Sequence, residues 1–325
     1  MKPVRLAATL VVLARSAPHK QYMHRHQQIN TSNDFEVLMM KRHRNARFVP
    51  NSYVFPGGGI DQEDHTLFAS CDTGKDTLDK AGRVAALREL AEETGSVLRG
   101  DGTLLSLAES APYNFCNGVD PSATHRLVKM GRWVTPEGFP LRNDTLFFGC
   151  IAHHEERAVQ ETRLTQQHSE VENLVWISPS EALRLHEDPR NDFNLPTPTF
   201  FLLLALAKEP HLATIEAHWA RQLSAKEEPP VTTVTQKVQQ GENGTVEFTM
   251  PNNYFCSLPS SALLPDGAYR FISDSNPRGV QHSNIYIGER PITSRILIAV
   301  LSVMPKNKTF KNIQNFLFLS FFLLL

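Results

Sequence analysis

The chain predicts an α/β fold, an α/β/α sandwich built on a mixed β-sheet, on three observations. Apolar runs of strand length, rich in Val, Leu and Phe, alternate with segments of helical periodicity. Gly, Pro and Asn punctuate the joins. The 325 residues, 41% hydrophobic and 21% charged, give one large folded unit with an appendage.

Ala7 to Leu13 form the first predicted strand, near 6–14. Lys2 and Arg5 ahead of that run also fit a short signal peptide, but strand is the preferred reading. Residues 17–33, polar and rich in His and Gln, predict a surface loop. Strands follow near 35–41, 52–55, 144–152 and 172–177, with helices near 79–94, 179–186 and 198–208. The region from Gly100 to Gly131 is irregular. Beyond residue 210, alternating Val and Thr and then Thr245 to Thr249 predict short strands or extended wrapping; residues 5–210 are one domain and 211–325 a C-terminal extension.

The net charge of −1 and a pI near 6.9 argue against broad capture of nucleic acid. A local patch of Lys41, Arg42, His43, Arg44 and Arg47 reads either as a solvated loop or as a grip for a small phosphorylated ligand. Cys71, Cys116, Cys150 and Cys256 lie far apart, with no Cys-x-x-Cys pair to start a zinc or redox site. His153, His154, Glu155 and Glu156 read as a polar loop, since adjacent side chains on an element point apart.

The chemistry concentrates between Leu87 and Gly95. Glu89, Glu92 and Glu93 share one broad face at the end of a helix, where the macrodipole is already negative, so a cation belongs there. Val84, Leu87, Leu90 and Ala91 face inward, Arg88 reaches Glu92 across one turn, and Gly95 stops the helix. Oxygen ligands without Cys or His suit Mg²⁺ or Mn²⁺, held incompletely so that water and phosphate oxygens complete the shell. Upstream, Tyr53-Val54-Phe55-Pro56-Gly57-Gly58-Gly59 ends a short strand in glycines that let backbone approach a ligand.

Together these pieces resemble the Nudix hydrolase signature, matched in residue type by Gly57, Glu63, Arg88, Glu89, Leu90, Glu92, Glu93 and Gly95. Glu63 lies 25 residues before Arg88 where the pattern has 8, which implies an inserted loop of 17 residues at about 64–80. That interruption resembles the peroxisomal acyl-coenzyme A diphosphatase branch. Resemblance also extends over Val37 to Arg42, Trp133 to Glu137, Arg142 to Phe148 and Val175 to Leu183.

The resemblance implies metal-assisted hydrolysis of a diphosphate bridge. Glu89 and Glu93 are the metal ligands, Glu92 is a further ligand or bridges through water, and Arg88 orients Glu92. The base is Glu92, Glu170 or Glu172. Gly57, Gly58 and Gly59 shape the site, while Arg42 or Arg47 holds phosphates. The implied substrate is coenzyme A or acyl-coenzyme A, cleaved to 3′,5′-ADP and a 4′-phosphopantetheine product. The alternatives are another nucleoside diphosphate derivative, or a non-catalytic module that binds nucleotide or an RNA cap.

The same resemblance implies a peroxisome, although the sequence ends in Leu-Leu-Leu where those relatives carry a Ser-Lys-Leu-like address; mitochondrial and cytosolic locations are the alternatives. Phe316 to Leu325 is apolar but, at ten residues, short of the roughly 20 that span a bilayer. A buried tail and a membrane-surface anchor both fit it.

Overall fold

The sheet is organised around β1 (Arg5–Arg15), because this strand is hydrogen-bonded on both edges and buries side chains on both faces. The computed structural model describes residues 4–16, 33–46, 49–67, 77–113, 115–135, 141–153, 171–188, 190–225 and 257–259, together with further short strands named below. Along β1, Val11 and Leu13 enter one apolar core, while Ala8, Leu10, Val12 and Ala14 enter another on the opposite face. An apolar run with almost no polar alternation is the expected pattern for a strand covered on both sides.

A small hairpin, β2 (Met23–His24) and β3 (Gln27–Gln28), precedes β4 (Phe35–Arg42). Next come β5 (Tyr53–Val54), β6 (Gly57–Gly59), α1 (Gln62–Thr66) and α2 (Thr77–Thr94). After α2, β7 (Ser96–Leu98) pairs with β8 (Leu104–Ser106), and α3 (Leu107–Ser110) follows. The chain returns to the sheet through β9 (Val128–Val134), β10 (Asn143–Ile151) and β11 (Val171–Ile177). Helices α4 (Pro179–Glu187), α5 (Thr197–Ala207) and α6 (Leu212–Leu223) follow.

Among the described residues the principal strand order is β11-β4-β1-β10-β9, closed by β12 (Thr233–Thr235) in parallel with β9. β1 runs parallel to β10 from Arg5 to Leu13. Its other edge is shared: Leu13 to Arg15 pair with β4, and Ala7 to Thr9 pair with the three glycines of β6. The glycines that follow the short strand therefore form a strand of the sheet themselves, and none of them has a positive φ.

One face of the sheet carries α2, through Val84, Ala85, Ala86, Leu87 and Leu90 against Leu10, Val12, Leu146 and Phe148. The other carries α5, where Phe200 to Leu206 are all buried, with α6 contributing Leu212, Ile215 and Trp219. Helix layers on both faces make the predicted α/β/α arrangement, and the sheet is mixed. Residue 33 departs from the surface loop expected over 17–33: Asn33 is buried and donates from Nδ2 to the carbonyls of Leu206 and Glu209, tying β4 to the end of α5.

Part of the C-terminal extension belongs to this core. β12 covers the edge of β9, Leu258 is buried beside α6, and Trp219 Nε1 donates to the Ser257 carbonyl at 2.8 Å. Ser257 Oγ in turn donates to the Lys129 carbonyl in β9. A separate antiparallel sheet contains β13 (Lys237–Gln240), β14 (Val246–Met250), β15 (Tyr269–Ser273), β16 (Ser283–Ile287) and β17 (Arg290–Ile292). The strand-forming reading of the extension thus holds for these segments, and Phe316 to Leu325 lies outside the described residues. Within them, no helix is long and apolar enough to cross a membrane.

Leu258→Ala should lower stability by about 2–5 kcal/mol, the usual cost of emptying a filled core position, with an unchanged far-UV spectrum below the transition. Denaturant melts would check this. A change within experimental error would mean that the extension does not help to build the core.

A buried ion pair fixes the start of α2 to β9. Asp79 and Arg83, each 3% exposed, meet at 2.8 Å, and Lys129 lies 3.1 Å from the other Asp79 oxygen. Arg83 also donates to the carbonyls of Thr124 and Leu127. Burial by itself would raise the Asp79 carboxyl, but Arg83 and Lys129 outweigh it and hold it below its ordinary value of 3.8. Its contribution is therefore complete above about pH 3.8 and is lost as pH falls through the depressed native value. Asp79→Ala should cost about 3–5 kcal/mol at neutral pH by stranding Arg83, and the penalty should shrink in acid; melts across pH 2 to 7 would read both effects.

Candidate active site

α2 carries functional side chains on one side because almost every other position is buried. Val84, Leu87, Leu90 and Ala91 pack inward as the periodicity requires, and Gly95, at φ +66°, ends the helix with its N–H donating to the Ala91 carbonyl. The C-terminal turn is thereby held against β6, the glycine strand on β1.

Arg88 is the centre of the arrangement, at only 7% exposure. Its Nε and Nη2 form a bidentate pair with Asp64 at 3.0 Å each, and Nη2 also donates to the Gly59 carbonyl at 2.9 Å. Nη1 donates to Glu89 at 3.0 Å and to Glu92 at 3.1 Å. Burial works against the charge, yet the bond to Asp64 and the fields of Glu89, Asp64 and Glu92 outweigh it and raise Arg88 above an ordinary arginine. The guanidinium is locked in its charged form and its donors are committed to the protein.

The expected link from Arg88 to Glu92 is present, but its main partner, Asp64, was not assigned from the sequence. Glu63, read as the carboxylate of the motif, is exposed, and its neighbour Asp64 is buried against Arg88. The motif's glycine and acid are separated by five residues, and five residues lie between Gly58 and Asp64 just as between Gly57 and Glu63, so the signal was present one glycine further on. Asp64 also accepts the Asp61 N–H at 2.8 Å, closing the first turn of α1.

The three glutamates differ in surroundings. Glu93 is buried and accepts the Gly57 N–H at 2.9 Å. Glu89 lies flat against Gly58, where a β-carbon would overlap its carboxylate. Burial first, and then the negative charges of Glu92 and Asp61, raise the Glu89 carboxyl despite the Arg88 bond. Glu92 is the open one, its side chain 45% exposed. In this arrangement the carboxylates are satisfied by Arg88 and a backbone amide, and among the described residues no three His, Cys, Asp or Glu side chains converge into a metal cage.

The donor chemistry nevertheless fits a hard divalent ion. Glu89, Glu92 and Glu93 are oxygen donors, and the Glu89 carboxylate, buried beside other negative charges, lies directly against the backbone of Gly58.

Other predicted residues sit elsewhere. Glu172, on β11, faces Lys41 at 3.4 Å, accepts the Arg44 N–H at 3.4 Å and lies 3.8 Å from Arg44 Nε. Burial alone would raise its carboxyl, but these cations and His43 outweigh it and hold it below its ordinary value. Within the basic patch, Lys41 pairs with Asp192 at 2.9 Å and with Glu172 at 3.4 Å. Arg42 ends β4, opposite Val171. Arg47, Glu170, the inserted residues 68–76 and the cluster beyond His153 lie outside the described residues.

With this geometry in view, comparison with known proteins gives a match to the NUDIX domain over residues 29–195, just over half of the chain. The chain belongs to the Nudix family. A Nudix hydrolase 7 of Caenorhabditis elegans is 28% identical over 185 residues, covering 53% of this chain and 56% of that protein. The acyl-coenzyme A diphosphatase NUDT19 of Xenopus laevis is 26% identical over 279 residues, covering 64% of this chain and 70% of that protein. The chain thus spans between about half and three quarters of the length of these relatives. A crystal structure of a Nudix hydrolase from Alicyclobacillus acidocaldarius is matched over its full length and 71% of this chain, at 27% identity and a TM-score of 0.48. The Nudix match begins after β1, so the strand that holds the glycines lies ahead of the matched segment.

Gly58→Ala should push the Glu89 carboxylate aside while sparing the fold, because the obstacle is the far end of a flexible side chain. The expected result is a loss of about 10–100-fold in Mn²⁺ affinity by calorimetry, with an unfolding midpoint close to wild type. Unchanged affinity would remove Glu89 from the metal site.

Proposed function

We propose that this Nudix chain is a divalent-metal-dependent hydrolase of the diphosphate bridge in coenzyme A or an acyl-coenzyme A. One observation carries the reading. A buried, fully bonded Arg88 fixes Glu89 and Glu92 beside a strand of three glycines, while Glu93 is tied to the first of those glycines. Such an arrangement has nothing to offer an apolar ligand; it suits a metal ion and a diphosphate.

Glu89 and Glu93 would hold the ion, with Glu92 as a further ligand. When bound, a divalent cation supplies charge to offset the phosphate oxygens and acidifies water enough for attack on phosphorus at neutral pH. The chain's own residues do the rest. Arg88 orients Glu89 and Glu92, since its charge cannot be lost and its position is set by Asp64 and the Gly59 carbonyl. Glu92, the most open of the three, is placed to take the proton of the attacking water. Gly57, Gly58 and Gly59 let the diphosphate lie close to the backbone, as no side chain projects from β6.

Water adds across the P–O–P bridge, so each product leaves with one of the two bridge phosphates, and the adenosine product keeps its 3′-phosphate as well: 3′,5′-ADP and (acyl-)4′-phosphopantetheine. The choice of coenzyme A over another nucleoside diphosphate derivative is supported by the Xenopus relative named for acyl-coenzyme A and by the long separation of Asp64 and Arg88.

Purified protein should release these products from coenzyme A with Mg²⁺ or Mn²⁺ and stop when the ion is chelated. Glu93→Gln should lower kcat by about 100-fold or more, at least the loss expected from a group that supports a metal ligand. Product chromatography against ADP-ribose, NADH and capped RNA would test substrate and activity together. Binding of coenzyme A without hydrolysis, or full turnover by Glu93→Gln, would overturn the reading.

A further inference from the structure

The phosphates of such a substrate need a cation that the residues around Arg88 do not provide. Arg88 spends its donors on Asp64, Gly59, Glu89 and Glu92. Of the basic patch that the sequence offered for this purpose, with Arg42 or Arg47 as the phosphate holders, Lys41 and Arg44 face Glu172 and, for Lys41, Asp192, while Arg47 lies outside the described residues. Beside β6 stands another guanidinium, that of Arg5 at the first position of β1.

Arg5 is anchored by its backbone and open at its side chain. Its N–H donates to the Arg142 carbonyl at 3.0 Å, and the next residue, Leu6, accepts the Ile60 N–H at 3.0 Å, so the strand is fixed on both edges at this point. The side chain, 69% exposed, turns back over the glycine strand, and a β-carbon at Gly59 would overlap its Nε, Cζ and Nη2. Only glycine at 59 permits that placement. Asp61 lies between the two arginines, 3.7 Å from Arg88 and 4.0 Å from Arg5, too far from Arg5 for a hydrogen bond. A solvent-facing arginine at a strand end would ordinarily extend into water to hydrate its head; this one lies on the backbone that borders the carboxylates.

We propose that Arg5 binds the diphosphate of the substrate, gripping phosphate oxygens with the planar fork that Arg88 keeps for the protein. This rests on the diphosphatase reading and adds a residue from ahead of the segment that matches the Nudix domain. Its role is binding: the guanidinium is a fixed charge with paired donors suited to phosphate, and it exchanges the distant Asp61 carboxylate for a contacting phosphate.

The test compares wild type with Arg5→Gln, Arg5→Lys and Gly59→Ala. Calorimetry with inorganic pyrophosphate and Mg²⁺ should show binding weakened about 10-fold in Arg5→Gln, the loss expected when a charge-assisted hydrogen bond is removed. Arg5→Lys should recover part of the affinity, and Gly59→Ala, by displacing the guanidinium, should resemble Arg5→Gln. In turnover the loss should fall on KM with kcat little changed, equally for coenzyme A and for dephospho-coenzyme A, with unfolding midpoints at the wild-type value. Wild-type affinity and KM in Arg5→Gln would overturn the proposal, as would a loss confined to coenzyme A, which would place Arg5 on the 3′-phosphate. If wild type hydrolyses no diphosphate, the functional reading fails, but the pyrophosphate titration still decides the role of Arg5. A wild type that does not bind pyrophosphate overturns both.

Discussion

Burying one guanidinium imposes most of the order at this site. Arg88 cannot shed its proton, so taking it out of water demands acceptors in fixed places, and they come from separate elements: Asp64 from α1, the Gly59 carbonyl from β6, and Glu89 and Glu92 from α2 itself. The requirement works in both directions. Glu89 is desolvated next to other negative charges and tolerates this only with Arg88 alongside. The helix, the glycine strand and the short α1 are thus locked together by satisfied polar bonds in a place that apolar packing could not hold open.

The sheet provides the platform by dividing one edge of β1 between two partners. Leu13 to Arg15 pair with β4, and Ala7 to Thr9 pair with the three residues of β6. Because β6 is short and lacks side chains, it brings backbone amides and carbonyls up to the helix end: the Gly57 N–H to Glu93, and the Gly59 carbonyl to Arg88. The glycines are needed here for room, since none adopts a left-handed conformation. At the opposite edge the C-terminal extension completes the layer with β12, Ser257 and Leu258, so the boundary near residue 210 separates patterns in the sequence more than units in the structure.

Local signals were legible where local physics decides the outcome. The apolar run at Ala7 to Leu13, the inward stripe of Val84, Leu87, Leu90 and Ala91, the stop at Gly95 and the reach from Arg88 to Glu92 all depend on period and neighbour spacing, and each is observed. Contacts across the sequence were not. Asp64 was passed over for Glu63 because both are acidic and only the turn of α1 decides which points inward. The ion pairs of Glu172 were hidden because its sequence neighbours do not include Lys41 and Arg44, which reach it only when β4 and β11 pair.

The sequence by itself determined the α/β class, the helix that carries the glutamates and the chemistry of its oxygen donors, because periodicity, helix stops and ligand hardness are properties of residues and their near neighbours. Only the tertiary structure decided which carboxylate holds Arg88, which cations are already spent and which glycine lies under Arg5. Those outcomes depend on pairing register and burial, through which residues distant in the chain compete for the same few hydrogen bonds.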